Sequence, residues 1–200
     1  MPRSMKSYKA EELSADATYK ILSGTVIPRP IAWLTTQNAD GLVNVAPFSF
    51  FNIVSKNPAL LSVSFTADKD SLNNIFTTKE AVVHLVTADN VAEMNQTAAR
   101  LSADESEAEK FAIPLVPSKS VTVPSIKNSQ VRFETKLYKH TPLENGGHLV
   151  LLKVVNFLID DALIDEANFH IDMEAFKPIA RLAGNQYAGL GEIFELKRPN

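Results

Sequence analysis

The stretch Asn44-Val45-Ala46-Pro47-Phe48-Ser49-Phe50-Phe51-Asn52 sets three phenylalanines among small and amide side chains. The hairpin signal Asp40-Gly41 stands before it, and we expect residues 42–50 to form the returning β-strand. Pro47 has no backbone N–H to give to a neighbouring strand. The strand is therefore expected at a sheet edge or a bulge, not inside a regular ladder.

Short apolar or alternating runs on both sides of this stretch predict further strands. In residues 60–65 apolar side chains alternate with Ser62 and Ser64, so the two serines share a face. Residues 131–138 alternate in the same way, and their polar face carries Arg132, Glu134 and Lys136. The other predicted strands are residues 31–36, 81–87 and 149–159.

The predicted helices fall between these strands. Ser14 is expected to cap a helix through residue 22, and Asp70 is expected to cap a short helix after the third strand. Residues 90–101 and 104–111 are also expected to be helical, the second with its acidic side chains on a solvated face. Many short strands with helices gathered into a few insertions predict a mainly β fold, an antiparallel barrel decorated by helices.

Composition limits the classes of function. The 200 residues suit one domain, and the net charge of −3 gives no basic footprint for a nucleic-acid partner. The chain has no cysteine, which excludes a thiolate metal site and a catalytic thiol. Its four histidines show no metal-ligand spacing, so no metal is expected. Residues 1–10 lack the apolar core of a signal peptide and no run is long enough to span a membrane, so a cytoplasmic protein without membrane partners is expected.

Polar groups in the opening stretch suggest a ligand site. Asn44, Ser49 and Asn52 offer hydrogen bonds beside aromatic cover, which suits a flat conjugated ligand. The alternative is a core strand whose phenylalanines simply pack. The N-terminus of the helix at Asp70, with Ser71 and Lys69, suits a phosphate, and the alternative there is an ordinary capped helix.

Two arginines are further candidates for the same ligand. Arg29 lies between prolines, and a rigid arginine can clamp a phosphate with two hydrogen bonds. Arg181 precedes Gly184, which permits close backbone approach, and Tyr187, which can lie against a ring. The alternatives are a surface loop arginine and a C-terminal loop that packs on the barrel.

Four ordered segments resemble the flavin reductase-like proteins with an FMN-binding split β-barrel. The segments are residues 28–36, residues 41–52, residues 69–75 and residues 178–187. The resemblance implies a six-stranded Greek-key split barrel with helical insertions, formed by residues 19–200 after an N-terminal extension of residues 1–18. It also implies a homodimer that holds FMN in a groove between subunits.

The resemblance implies which residues line the FMN. With Asn44, Phe51 and Arg181 from the reasoning above, the candidate cofactor-binding residues are Arg29, Asn44, Ser49, Phe50, Phe51, Asn52, Ser64, Asp70, Ser71, Asn74, Arg181, Gly184, Asn185 and Tyr187.

The expected activity is an oxidoreductase that passes hydride from NADH or NADPH to flavin, with no side chain as nucleophile. The reduced flavin would then reach a second flavin, an oxygenase partner or another acceptor. Two alternatives stay open, an FMN-binding electron carrier without NAD(P)H activity and a flavin-free interaction module. No ribose-reading motif separates NADH from NADPH.

Overall fold

The computed structural model describes residues 3–144 and 146–199. Strands dominate this part of the chain, and the helices are short. The helices are α1 Ala15–Thr25, α2 Asp70–Thr78, α3 Val91–Gln96, α4 Glu107–Lys110 and α5 Met173–Phe176, with 3₁₀ turns at Ala10–Glu12 and Asp161–Leu163. The strands are β1 Ala32–Gln37, β2 Val43–Phe48, β3 Phe51–Lys56, β4 Ala59–Phe65, β5 Glu80–Leu85, β6 Leu115–Val116, β7 Ser125–Ile126, β8 Val131–Pro142, β9 His148–Ile159, β10 Ile164–Asp165, β11 His170–Ile171, β12 Ala180–Arg181 and β13 Tyr187–Ala188.

Seven strands form one antiparallel sheet in the order β2-β1-β5-β8-β9-β4-β3. The sheet curls so that Phe48 of β2 packs on Phe65 of β4, with 4.7 Å between ring centroids. β2 pairs only with β1 in this sheet, which confirms the edge position predicted from Pro47. The fold is mainly β, as predicted.

The predicted count of six strands is not confirmed, because the main sheet also contains β3. This strand pairs with β4, and its register shifts between Ile53 and Ser55. The shift breaks the alternation by which a strand is recognised in a sequence. Greek-key connectivity and the domain boundary at residues 18 and 19 stay predictions.

The inner face of the curled sheet carries the main core. Leu34 of β1, Val63 and Phe65 of β4, Val83 of β5 and Leu152 of β9 are buried there with the apolar face of α2. A second cluster lies around Trp33 and Val45 and packs against α3 and α4. These two layers hold β2 and the N-terminal end of α2 in fixed relative positions.

The sequence predicts four of the five α-helices but not their lengths, and α5 is the helix that it does not predict. Ser14 caps α1 through its hydroxyl, as predicted. The helix predicted over residues 90–101 ends at Gln96, and the one predicted over 104–111 is a single turn capped by Ser106. Asp70 is the first residue of α2 rather than its cap, because the N-cap position belongs to Lys69.

Glu134 contradicts the polar face predicted for residues 131–138. Its side chain is fully buried, and its carboxylate accepts hydrogen bonds from Lys119 N at 2.7 Å, Ser120 N at 2.6 Å and Asn156 Nδ2 at 3.2 Å. The register shift after Glu134 accompanies this burial. Three donors compensate the cost of removing the carboxylate from water.

No helix within residues 3–144 and 146–199 combines the length and the apolar character that crossing a membrane requires.

Candidate functional site

A hydrogen-bonded relay links β2 to the start of α2. Ser71 Oγ donates to Asn44 Oδ1 at 2.6 Å, and Asn44 Nδ2 donates to Glu107 Oε2 at 2.6 Å. The same carboxylate oxygen accepts from Val45 N at 3.0 Å. Two of the predicted site residues, Asn44 and Ser71, are therefore in direct contact.

Glu107 is the site residue that the sequence does not predict, because its acidic neighbours indicate a solvated helix face. Only 6% of it is exposed. It belongs to the first turn of α4 and covers the free edge of β2, while Ser106 Oγ donates to Val43 O beside it. Ser106 caps α4 at this point, and both Glu107 and Ala108 of its first turn are buried.

The N-terminus of α2 presents uncapped backbone donors. The N-cap residue Lys69 makes no side-chain cap hydrogen bond, and the first N–H groups of any helix have no partner within the helix. Asp70 and Lys69 are exposed, whereas Ser71 is 2% exposed. This end of α2 combines a helix dipole, free N–H groups and a nearby ammonium, which is the chemistry of an anion site.

A cavity of about 160 Å³ lies beside this helix end, and Asn44, Asp70 and Asn74 line it. Asn74 is largely buried, and its Nδ2 donates to Thr36 Oγ1 at 3.2 Å. The structure gathers most of the predicted site residues into two groups. The first group consists of Asn44, Asp70, Ser71 and Asn74.

The β2–β3 turn places Ser49, Phe50, Phe51 and Asn52 in different environments. Phe51 belongs to the core, and Phe50 is half-buried with its ring 6.4 Å from that of Tyr19. Asn52 is exposed. Ser64 N donates to Phe50 O at 2.8 Å, so Ser64 lies against this turn. Phe51 therefore contributes packing, and the other three predicted residues remain accessible to a ligand.

Arg29 is an internal anchor. It is 7% exposed, and its Nη1 donates to Ser23 O at 2.6 Å and Val26 O at 2.8 Å while Nη2 donates to Leu182 O at 2.8 Å. Nε reaches Ser49 Oγ at 3.5 Å. Four of its five N–H groups are therefore directed at protein acceptors, which favours an anchoring role over a bidentate phosphate clamp.

The C-terminal loop forms the second group of predicted residues. Arg181 exchanges backbone hydrogen bonds with Arg29 at 3.1 and 2.9 Å, and its guanidinium lies 4.6 Å from the centre of the Tyr187 ring. Arg181 Nη2 also donates to Gly184 O. Gly184 has φ +53°, the left-handed conformation that the turn requires.

The structure separates this second group from the relay of the first. Ser49, Arg181 and Tyr187 share a cavity of about 190 Å³, whereas Asn44, Asp70 and Asn74 share the other. β2 runs between them, with Asn44 near its start and Ser49 just past its end. Asn185 is exposed on the loop.

The buried histidine of β5 is structural. His84 Nδ1 lies 2.9 Å from Trp33 O, and Nε2 accepts from Ile126 N at 2.9 Å. Ile126 N can only donate, so the ring proton belongs on Nδ1. Burial lowers the pKa of His84 to about 3. Across residues 3–144 and 146–199, no group of three or more acidic or histidine side chains has the arrangement of a metal site.

The donor set fits a flavin mononucleotide in its chemistry. The uncapped end of α2 with Lys69 suits a phosphate, and the amide and hydroxyl groups of Asn44, Ser49 and Asn52 suit polar atoms of a ring and chain. Tyr19, Phe50 and Tyr187 supply aromatic surface close to them. Asp70 and Glu105, which both line the cavity at the phosphate end, are unfavourable charges there.

Comparisons with known proteins place this chain in a family. The sequence profile of the flavin reductase like domain matches residues 23–176, and the chain belongs to this flavin-binding family.

Solved structures agree with this assignment. Nitrilotriacetate monooxygenase component B from Bacillus cereus is 38% identical, with a TM-score of 0.94 and coverage of 98% of this chain and 100% of that one. The 2-nitrobenzoate 2-nitroreductase NbaA of Pseudomonas fluorescens is 30% identical, with a TM-score of 0.91 and coverage of 97% and 96%. A putative flavin reductase with a split barrel domain from Shewanella frigidimarina is 21% identical, with a TM-score of 0.87 and coverage of 98% and 100%. This last likeness shows the split-barrel fold alone.

Proposed function

We propose that the protein is an FMN-dependent flavin reductase that takes hydride from NADH or NADPH. The observation that carries the proposal is the uncapped N-terminus of α2, set beside the Asn44–Ser71 pair. A helix end that lacks a side-chain cap leaves its donors to an external acceptor, and a phosphate is the group it suits best. Membership of a flavin-binding family supports FMN as the molecule that carries this phosphate.

The residues of the chain bind and orient the cofactor in this proposal. Lys69 and the first N–H groups of α2 hold the phosphate. Ser71 gives its proton to Asn44, so its oxygen offers lone pairs to a ribityl hydroxyl. Ser49 and Asn52 lie toward the polar edge of the ring, and Phe50 covers its apolar part.

Bound FMN would supply the redox chemistry, accepting hydride from the nicotinamide and releasing electrons to an acceptor. No side chain is needed as nucleophile. The C-terminal loop with Gly184, Asn185 and Tyr187 limits access of water to the ring. Arg29 fixes that loop to α1 and thereby sets its distance from Ser49.

We also propose a homodimer and an oxygenase partner. β3 is an edge strand whose Ile53 and Val54 are 76% and 50% exposed, and an apolar sheet edge is commonly covered by another chain. The oxygenase partner rests on the relative from Bacillus cereus, which is a monooxygenase component. Residues 19–200 would form the FMN-binding unit, in the cytoplasm.

The test is the visible spectrum of the purified protein, mixed without oxygen with NADH and then with NADPH. Flavin bands that bleach rapidly with one of them would support a reductase and identify the donor. Bands that bleach only with an external reductant would favour an electron carrier. A protein without flavin bands even after FMN is added would refute the proposal.

Paired hydroxyl deletions on α2 test the site itself. Ser71→Ala removes the hydroxyl beside Asn44 and should weaken FMN binding about ten-fold, the effect of one lost hydrogen bond. Thr77→Ala is the matched control, because Thr77 is exposed and its Oγ1 donates to Asn73 O within the same helix. Equal FMN affinity in the two variants would contradict the placement.

A further inference from the structure

The last part of the described chain is an extended arm with exposed apolar side chains. This C-terminal arm, residues 189–199, follows β13 and contains no helix, strand or turn. Ile193 is 61% exposed, Phe194 73% and Leu196 82%. None of the described residues from 190 to 199 forms a hydrogen bond or an ion pair. Large apolar side chains that stand exposed in close succession mark a contact with another surface.

An apolar groove, the α5 groove, lies at the start of this arm. Its inner part has a volume of about 280 Å³, and no charged side chain of the described residues lines it. Apolar residues from distant parts of the chain form its walls, among them Pro28, Pro30, Leu85, Phe176, Pro178 and Leu190. Its outer part, of about 460 Å³, adds Glu174 and Lys177. Ile179, Gly189 and Leu190 line both parts, so the groove is continuous.

The α5 groove and the candidate flavin site lie on opposite faces of the β12–β13 ribbon. Ala180 pairs with Ala188, and Arg181 pairs with Tyr187. Successive residues of a strand point to opposite faces. The two alanines line the groove, whereas Arg181 and Tyr187 line the cavity that also contains Ser49. An occupant of the groove therefore leaves the candidate flavin site free.

The arm matches the inner part of the groove in size and chemistry. Phe194 and Leu196 are two residues apart, so they share one face of an extended segment. A cavity of about 150 Å³ suffices for one benzene ring, and the inner part measures about 280 Å³. It therefore accommodates an aromatic ring together with a second apolar side chain.

The outer part of the groove matches the arm in charge. Glu174 and Lys177 are its charged side chains among the described residues. The arm carries Glu195 and Lys197, one charge of each sign, beside its apolar anchors. Glu195 can face Lys177 while Lys197 faces Glu174, and neither arrangement leaves a like charge unpaired. Exposed pairs of this kind fix the register more than they add affinity.

The arm does not fill the groove of its own chain. Gly191 and Ile193 line the outer part, and Leu190 forms a wall of the inner part. Phe194 would reach that inner part only if the chain reversed direction within residues 191–193, and none of these described residues forms a turn hydrogen bond. The arm and the groove of one copy are therefore both free to meet a second copy.

We propose that the C-terminal arm docks in the α5 groove of a second copy of this chain, with Phe194 and Leu196 as the buried anchors. The exchange is reciprocal, so each copy gives one arm and receives one, as in a symmetric dimer. Two arms and the groove surfaces that face them remove on the order of 1,000 Å² from water, which is near the lower limit for a specific interface. The inference rests on the homodimer proposed above and adds a second contact to it.

Crosslinking between copies locates the arm, because the chain has no cysteine. Full-length Arg198→Cys, with a thiol at the end of the arm, is mixed with full-length Ala180→Cys, with a thiol in the groove, and treated with a short bismaleimide. Each chain carries one thiol, so every linked product joins two copies. We expect a covalent dimer on a denaturing gel. The control mixture replaces Ala180→Cys by Ala167→Cys, because Ala167 is exposed and lies outside the groove, and it should yield no dimer beyond that of Arg198→Cys alone.

A full-length double variant tests the two anchors. Phe194→Ser with Leu196→Ser removes the apolar face of both arms, so dissociation of the dimer in sedimentation should become at least about 100-fold easier. Glu192→Ser with Arg198→Ser is the matched control on the same arm. Both residues are exposed, and the control should keep the dissociation constant within about three-fold, since exposed charges contribute little.

The outcomes separate this contact from the other proposals. Equal yields of linked dimer in the two mixtures, or an anchor variant that dissociates like the parent protein, would overturn the docking of the arm. A parent protein that sediments as a monomer would overturn it together with the homodimer. Circular dichroism checks that the variants are folded, and the flavin bands after addition of FMN report the candidate flavin site independently. A yellow dimer whose arm is not linked to the groove therefore refutes the arm contact alone.

Discussion

Replacement of Glu107 should destabilise the protein more than any other change on α4. The carboxylate accepts two hydrogen bonds, from Asn44 Nδ2 and from Val45 N. Val45 is fully buried, so water cannot replace the lost acceptor. Each buried donor left without a partner costs about 1–3 kcal/mol. Glu107→Ala leaves two such donors and should therefore lower the free energy of unfolding by about 2–6 kcal/mol.

The charge of residue 107 can be removed while its size is kept, which separates the effect of charge from that of shape. Glu107→Gln keeps one acceptor oxygen and nearly the same volume, so we expect a loss of about 1–2 kcal/mol. For a chain of this size, about 1 kcal/mol corresponds to a change of about 2–4 °C in Tm. Urea unfolding followed by circular dichroism measures both variants. Glu109→Gln is the control on the same turn, because Glu109 is exposed.

The relay predicts a second effect of the same substitutions. Without Glu107 the amide of Asn44 is free to rotate, and Ser71 loses a fixed acceptor, so FMN affinity should fall together with stability. If Glu107→Ala unfolds within about 0.5 kcal/mol of the parent protein, the carboxylate is not a required acceptor and the relay is wrong.

Three further predictions concern other parts of the fold. His84 has a pKa of about 3 in the folded chain, so below about pH 6.5 the unfolded chain binds a proton on this histidine and the folded chain does not. The free energy of unfolding should therefore fall by about 1.4 kcal/mol for each pH unit of acidification. His84→Gln should remove that slope between about pH 4 and 6. If urea unfolding gives the same slope for this variant and the parent protein, the histidine titrates normally. Arg29→Lys gathers its donors on one nitrogen and cannot span the separated carbonyl groups that the planar guanidinium reaches, so hydrogen exchange of α1 and of residues 181–187 should accelerate; unchanged exchange would argue against the anchor. Ile53→Lys places a charge on the exposed edge of β3 and should convert the proposed dimer to a monomer in light scattering, and a variant that keeps the mass of a dimer would exclude this edge from the interface.

The strands of the sheet were readable from the sequence because their side chains alternate or form short apolar runs. β3 was missed for a physical reason. Its Ile53 and Val54 face solvent at an edge, and its irregular pairing removes the alternation. A strand is recognised in a sequence because apolar residues on one face alternate with polar residues on the other. Residues 51–56 show little of this alternation.

The site was predicted as a set of residues but not as a set of contacts. Asn44 and Ser71 are 27 positions apart, and no local pattern pairs them. Glu107 and Glu134 were assigned to solvent because glutamate usually lies there. Their burial depends on backbone N–H groups of other elements, of Val45 for one and of Lys119 and Ser120 for the other. Such compensation becomes visible only when the fold is known.

The anchor formed by Arg29 also sets an order of assembly during synthesis. The carbonyl of Leu182 that completes it lies 153 residues later in the chain, so a ribosome must add all of those residues after Arg29 before that acceptor exists. Until then a largely buried cation lacks one partner, and the C-terminal loop cannot take its position. A chain that ends before Leu182 therefore keeps most of its sheet but never closes the cavity at Arg181, which makes correct completion of the chain a condition for that cavity to form.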